Sequence, residues 1–439
     1  MKYIVIVLVF IFLSMPRTIY AADVKEYRLD NGLKVLIIEE HKAPIATFQI
    51  WYRVGSRNEQ IGKTGLSHLL EHMMFKGTYR YGSKAFSKII QKNGGVDNAF
   101  TTKDYTMYYQ TLSSDRIGLS IELESDRMTN LVMDSKETLS ERSVVMEERM
   151  MRYEDDPYNS LFEEVMAAAF KSHPYQWPVI GWMSDISSIE RDDLYNYYRA
   201  HYAPDNAVIV VSGDVKPDEV IDGIKLSFGK IPPGPSRKPV ISKEVEQKGE
   251  RRVYLKRQAE LPYILIGYHT PSFPEEDSYA LEVLGTVLSG GKSARLYKSL
   301  VYEKKLAIWA FADYSGLHKD PYLFFFAATA SPQRSIDDVE KALYAEIEKI
   351  KKETPSEREV QKAKNQIEAS FIFSQDSIYS QAELTGLFEM LGDYRLKDKY
   401  LEGIRKVTPE DVVRVAKKYL KEENRTVGIL IPIKNQNSK

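Results

Sequence analysis

"SIERDDLYNYYRAHYAPDNAVIVVSGDV" (188–215) and "KVTPEDVVRVAKKYLKEENRTVGILIPI" (406–433) share one layout. Setting Ile189 on Val407 without gaps puts Asp193 on Asp411, Asn206 on Asn424 and Val211 on Ile429. Each stretch reads as an acidic helix start, a helix, a short turn and a buried strand. Between them lies "KIPPGPSRKPVISKEVEQKGER" (230–251), with prolines at 232, 233 and 235 and no period in the remainder. That composition marks a linker. The repeat on either side of it points to an α+β chain made of two homologous halves, each a sheet covered by helices. The expected layout is residues 22–235 as the first domain, 236–250 as linker and 251–439 as the second.

A chain of 439 residues is long enough for two such cores. Its formal net charge of -1 gives no global field for nucleic acid, which is not expected as a partner. Cysteine is absent, so disulfides and thiolate sites are excluded, and any metal must be held by His, Asp or Glu. "MKYIVIVLVFIFLSMPRTIYAAD" (1–23) has a basic start, an apolar run broken at Pro16, and small residues after it. It reads as a signal peptide over residues 1–21, cleaved after Ala21. An uncleaved leader would instead serve as a membrane anchor. Either way the protein is expected outside the cytoplasm, periplasmic or secreted.

Further elements follow from pattern. "YRLDNGLKVLIIEE" is two strands around an Asn-Gly turn. Gly65 to Lys76 has helical spacing through Leu66, Leu69, Leu70 and Met73. "NAFTTKDYTMYYQTL" alternates like a strand, and a helix runs from about Lys136 to Arg152.

"GLSHLLEHMMFKGT" (65–78) carries the chemistry. On a helix His68 and His72 lie roughly 40° apart, so both imidazoles reach one ion, with Glu71 beside them. This is the inverted zinc-peptidase order, H-x-x-E-H. The alternative is a solvated polar turn. A hydrolytic zinc site needs a third protein ligand. His173, His201, His269 and His318 are isolated. Glu141 and Glu148 fall two turns apart on one line of the following helix, beside Val144 and Val145, where carboxylates are costly without a cation. Glu137 and Glu147 read as solvated, with Arg142, Arg149 and Arg152 as ion-pair partners for the acidic face.

The sequence resembles the pitrilysin-type (inverzincin) metallopeptidases, a family that includes mitochondrial processing peptidase, insulysin and bacterial members. The family places a ligand glutamate about 76 residues after its motif, which here is Glu148, and an acidic residue seven positions earlier, here Glu141. "GGVDNAFTTKDYTMYY", "HPYQWPVIGW" and "GGKSARLY" resemble family segments too. The resemblance implies two α/β sandwiches forming half of a clamshell. It implies Zn2+ held by His68, His72 and Glu148, with Glu71 as the general base and Glu141 in support. It also places Asn98, Ala99 and Phe100 beside an extended peptide substrate, although Asn98 as a turn residue and Phe100 as core remain open.

One departure stands out. Most active members carry an Arg and a Tyr seven residues apart in a C-terminal domain, where they stabilise the tetrahedral intermediate. The matching stretch, "SLVYEKKLAIWAF", has Val301 and Ile308 there. Arg295 and Tyr297 sit in another register and read as surface and packing residues. The resemblance therefore implies the zinc-bearing subunit of a heterodimer whose homologous partner supplies the Arg/Tyr pair. A homodimer using Tyr302 or Trp309 is the fallback.

Overall fold

A computed structural model describes residues 23–433; the leader read at 1–21 lies outside them. Six strands make the first sheet: β1 (Val24–Arg28), β2 (Lys34–Glu39), β3 (Ile45–Tyr52), β4 (Val96–Thr101), β5 (Thr106–Ser113) and β6 (Ala207–Gly213), in the order β1-β2-β6-β3-β5-β4. Five make the second: β7 (Arg251–Gln258), β8 (Tyr263–Thr270), β9 (Ala307–Tyr314), β10 (Tyr322–Ala330) and β11 (Arg425–Ile433), in the order β7-β11-β8-β10-β9. Without β1, the two orders are the same. Each sheet has one parallel pair, β2 with β6 and β7 with β11, and is otherwise antiparallel.

The duplicated segments occupy equivalent places down to single hydrogen bonds. Asp193 and Asp411 each cap the start of their helix by accepting a backbone N–H three residues earlier, at 2.9 and 3.1 Å. The Asn206 amide donates to the carbonyl of His201 and the Asn424 amide to that of Tyr419, both at 2.8 Å. These bonds satisfy a carbonyl left free at each helix end and aim the chain into the strand. Val211 and Ile429 then sit opposite Phe48 and Ile264.

Both faces of the first sheet are covered, which explains strands as uniformly apolar as "AVIVVSG". Five helices come first in the chain: α1 (Leu66–Met73), α2 (Ala85–Lys92), α3 (Ile117–Asn130), α4 (Ser135–Arg149) and α5 (Pro157–Ala169). One face of β2 presents Val35 and Ile37 to the core shared with α1. The other face presents Leu36 and Ile38, with Trp51, to the helix Ile378–Leu391 of the second half. The exchange is mutual. Leu161, Val165 and Met166 of α5 pack on Leu265, Leu323, Phe325 and Leu430 of the second sheet. Each half thus lends a helix to cover the other's sheet.

Residues 232–248 contain no helix or strand. They are nevertheless tied down: the Glu244 carboxylate accepts the N–H groups of Lys171, Ser172 and His173, and the Gln247 amide donates to Arg425 O at 2.6 Å.

Three local expectations are corrected. "NAFTTKDYTMYYQTL" is a hairpin, not one strand: the Thr102 N–H donates to Tyr105 O at 2.8 Å and Thr102 Oγ1 accepts from Asp104 and Tyr105, closing a turn. The helix expected to Arg152 keeps α geometry only to Arg149, then widens into a π-helical turn over Met150–Glu154. Val144 is 48% exposed, so only Val145 gives the Glu141–Glu148 line an apolar flank.

Candidate active site

Fixing α1 begins before its first turn. Gly65 has φ 92°, and a Cβ there would lie 2.5 Å from Ile180 O, so only glycine fits. The Glu59 carboxyl group accepts the N–H groups of Gly65 at 2.8 Å and Ser67 at 2.6 Å, satisfying two donors at the helix start. Thr64 donates its N–H and hydroxyl to Asp185. Leu66, Leu69, Leu70 and Met73 are buried, which turns the opposite side of the helix, carrying His68, Glu71 and His72, toward a cavity.

On that side the His68 and His72 rings lie 4.8 Å apart between centroids. Glu148, at the end of α4 where the π turn begins, brings its carboxylate to 3.4 Å from His72 Nε2 and 3.9 Å from His68 Nε2. One ligand atom from each of the three falls within 4.8 Å of the others. Glu141, two turns earlier, meets His72 Nδ1 at 2.9 Å and is held from its other side by Lys76. Glu147 is exposed, as expected, and no shared contact joins it to the cluster. Arg149 departs from expectation: it is buried and pairs with Glu163 of α5 rather than with its own helix's carboxylates.

The electrostatics fit a divalent cation. Burial and the neighbouring His72 push the His68 imidazole down to about 4, leaving it neutral as a ligand must be. His72 resists the same burial because Glu141 and Glu148 hold its proton, pushing it up to about 9. The His72 bond, helped by Lys76, holds Glu141 down to about 2. A site that draws a proton between two carboxylates offers a place for another cation. Two imidazoles and a carboxylate are a borderline-hard donor set suited to Zn2+, with Glu141 orienting His72 from behind.

The cavity, of about 540 Å³, is bounded on one side by β4. Among the described residues β4 pairs only with β5, which leaves its other edge free of strand partners. Side chains alternate along it. Ala99 packs toward α1, and the Thr101 hydroxyl donates to Glu71 Oε2 at 2.5 Å. Phe100 points to the opposite face, where its ring stands 6.4 Å from Trp51 and 6.1 Å from Tyr105, so core packing occupies it. Asn98 turns its amide oxygen onto Ala99 N, accepting that N–H at 2.9 Å. Burial raises the Glu71 carboxyl above the usual carboxylate range, with the Thr101 bond working against that rise.

Sequence reasoning did not single out Thr101, nor Tyr153, Val179 and Ile180 in the cavity wall. Arg152 entered it only as an ion-pair residue, and it does reach Glu148 at 3.0 Å. The period of two in "NAFT" was enough to set Thr101 on the same face as Ala99. The isolated histidines have structural roles: His173 pairs with Asp320, His318 with Asp104, and His269 meets Ala169 O. His201 contributes the carbonyl that Asn206 satisfies. Arg295 forms a part-buried ion pair with Glu359.

A duplicated sheet-and-helix sandwich with an H-x-x-E-H helix and a glutamate three helices later defines the pitrilysin-type class. The chain belongs to peptidase family M16: the model "Insulinase (Peptidase family M16)" matches residues 34–181, and "Peptidase M16 inactive domain" matches 188–367. His68, Glu71, His72, Glu141 and Glu148 all lie in the first match. The chain is 33% identical to the zinc protease PqqE of Helicobacter pylori over 97% of each chain. It is 28% identical to a probable mitochondrial-processing peptidase subunit beta of Arabidopsis thaliana, covering 97% of this chain and 81% of that one. The crystal structure of a protease from Helicobacter pylori superimposes with a TM-score of 0.90 at 32% identity, over 94% of this chain and 100% of that one. The periplasmic protease PqqL of Escherichia coli shares the fold at a TM-score of 0.79 and 18% identity; 94% of this chain covers 48% of it.

Proposed function

We propose that this chain is a zinc-dependent endopeptidase subunit that cuts unfolded peptides or extended protein segments. The observation that carries this reading is the convergence of His68, His72, Glu148 and Glu71 in one cavity whose wall is a free strand edge. His68, His72 and Glu148 would hold the ion, with Glu141 keeping His72 turned toward it. Zn2+ bound there supplies Lewis acidity and lowers the pKa of water. Glu71 accepts the proton of the attacking water and returns it to the leaving amine. Thr101 fixes one carboxylate oxygen of Glu71 and leaves the other for that proton. An extended peptide adds to β4 by backbone pairing, taking the Ala99 N–H that Asn98 caps in the free chain. This favours chain conformation over sequence. Asn98, Ala99 and Phe100 then bind mainly through their backbone.

The transition-state donors come from a second subunit in this reading. Val301 is packed against the second core, and Ile308 on β9 is 52% exposed and apolar. Neither side chain donates a hydrogen bond. A homologous chain carrying Arg and Tyr at these places completes the site in a heterodimer. Tyr302 and Trp309 are exposed at 72% and 45%, which keeps a homodimer with other donors as the second reading. A binding subunit without activity is disfavoured by the complete metal set. Export is part of the proposal and rests on the leader; no helix among the described residues is long and apolar enough to cross a membrane.

The test is zinc content and cleavage of a mixed unfolded-peptide pool, for the chain alone and with its co-purifying homologue. The expected result is one zinc per chain, weak cleavage alone, a large gain with the partner, and loss of both rates to a chelator. Full activity of the lone monomer contradicts the two-chain reading. Absence of zinc contradicts the whole.

A further inference from the structure

The second half has a cavity beside the helix that takes the place of α1 in its chain order. Cross-strand partners run from Val211 through Phe48 and Gln110 to Asp97 in the first sheet. They run from Ile429 through Ile264 and Ala328 to Ala310 in the second. Asp97 thus corresponds to Ala310, and four residues on, Thr101 to Tyr314. The helix Glu276–Ser289 follows β8 as α1 follows β3, and it carries Glu282 and Thr286 one turn apart, as α1 carries His68 and His72. The helix Glu357–Phe373 adds Gln366 and Phe371. These residues, with Phe388 and Tyr400, line a cavity of about 400 Å³ whose walls are mostly apolar.

No histidine lines it, so the zinc chemistry of the first half has no counterpart. A single unpaired carboxylate remains. Glu282 is partly buried, opens on the cavity, and has no side-chain hydrogen-bond or ion-pair partner among the described residues. Burial, with a smaller contribution from the Asp313 charge, pushes this carboxyl up to about 8. A carboxylate walled mostly by apolar groups and without a counter-ion is costly. One carboxylate among apolar walls offers too few oxygens for Ca2+ or Mg2+. The same walls suit an organic cation, since Phe371, Phe388 and Tyr400 present rings that attract ammonium groups and bury hydrocarbon.

We propose that this cavity binds a primary ammonium group on an aromatic or aliphatic body, with the Glu282 carboxylate as counter-ion. Two sources share that chemistry: a free amine and the N-terminus of a peptide with an apolar first residue. Binding is measured on the full chain by calorimetry with phenethylammonium, 2-phenylethanol, a peptide beginning with Phe, and its N-acetylated form. The expected result is that phenethylammonium binds at least tenfold more tightly than the alcohol. A free-amine site shows the preference only with the small probe; a peptide site shows it also between the free and acetylated peptides. Glu282→Gln conserves volume, and it should lose at least tenfold for the amine while leaving the alcohol, the zinc content and peptide cleavage unchanged. Equal binding of amine and alcohol by the unaltered chain, or undiminished amine binding by Glu282→Gln, overturns the proposal; so does calcium binding that depends on Glu282 in the absence of any amine binding.

Discussion

The Thr101 hydroxyl sits 2.5 Å from Glu71, reaching across from a strand 30 residues later in the chain. Its bond holds a carboxylate that the mechanism needs in one orientation. Thr101→Val should therefore lower kcat by roughly tenfold, the worth of one hydrogen bond to a charged group, with KM little changed. A fall in zinc content instead of kcat would mean that Thr101 supports the helix rather than the base. Glu141→Gln tests the support of His72 in a different way. Replacing the carboxylate behind a ligand histidine should weaken metal affinity by roughly 10–100-fold, read by competition with a chelator; unchanged affinity contradicts the role given to Glu141. At this scale the sequence revealed the residues whose chemistry is rare and whose spacing is helical. His68, Glu71 and His72 announce themselves within one turn of helix, and the family spacing then points to Glu148. Thr101 was hidden because a hydroxyl partner can come from any strand. The exposure of Val144 was hidden because a helical wheel says which residues share a face, not which face is covered.

At the scale of elements, α1 depends on the loop before it. Glu59 is buried at the helix start and accepts two N–H groups, yet burial pushes its carboxyl up to about 8. A carboxyl raised in the folded state keeps its proton there and loses it in the unfolded chain. Its contribution to stability is therefore greatest below the ordinary carboxylate range and declines as pH climbs to about 8. Glu59→Gln removes that titration. In urea unfolding of the metal-free chain, the variant should be less stable by about 1 kcal/mol near pH 5, because one N–H loses its acceptor, and the deficit should shrink by pH ~8.5. A deficit that widens with pH contradicts the raised carboxyl. Most helices and strands were legible from apolar period and turn residues. The exceptions share a cause. The β4–β5 hairpin has no glycine or proline at its turn; Thr102 closes it with its side chain instead, a signal that β-propensity masks. The π turn after Arg149 is a change in backbone winding that side-chain period does not record.

Across the whole molecule, the duplication was readable because the repeated helix and strand keep their spacing, with Asn206 and Asn424 doing the same work. The exchange of α5 and Ile378–Leu391 between halves was not readable, since an apolar helix face does not name its partner sheet. Gly386 marks how close that exchange is: a Cβ there would lie 2.2 Å from the Trp51 ring. Gly386→Ala should cost roughly 2 kcal/mol by overpacking, although alanine is the better helix former. Urea unfolding followed by tryptophan fluorescence measures it, and a stabilised variant contradicts the tight crossing. The proposed metal ligands all lie in the first half and the positions proposed to lack donors in the second, so the proposed activity separates into parts that different variants remove. Zinc content and peptide hydrolysis of Glu71→Gln, measured beside the unaltered chain in its native complex, bear on the chemistry itself. The mechanism predicts full zinc occupancy with hydrolysis abolished; retained zinc with undiminished hydrolysis would contradict it.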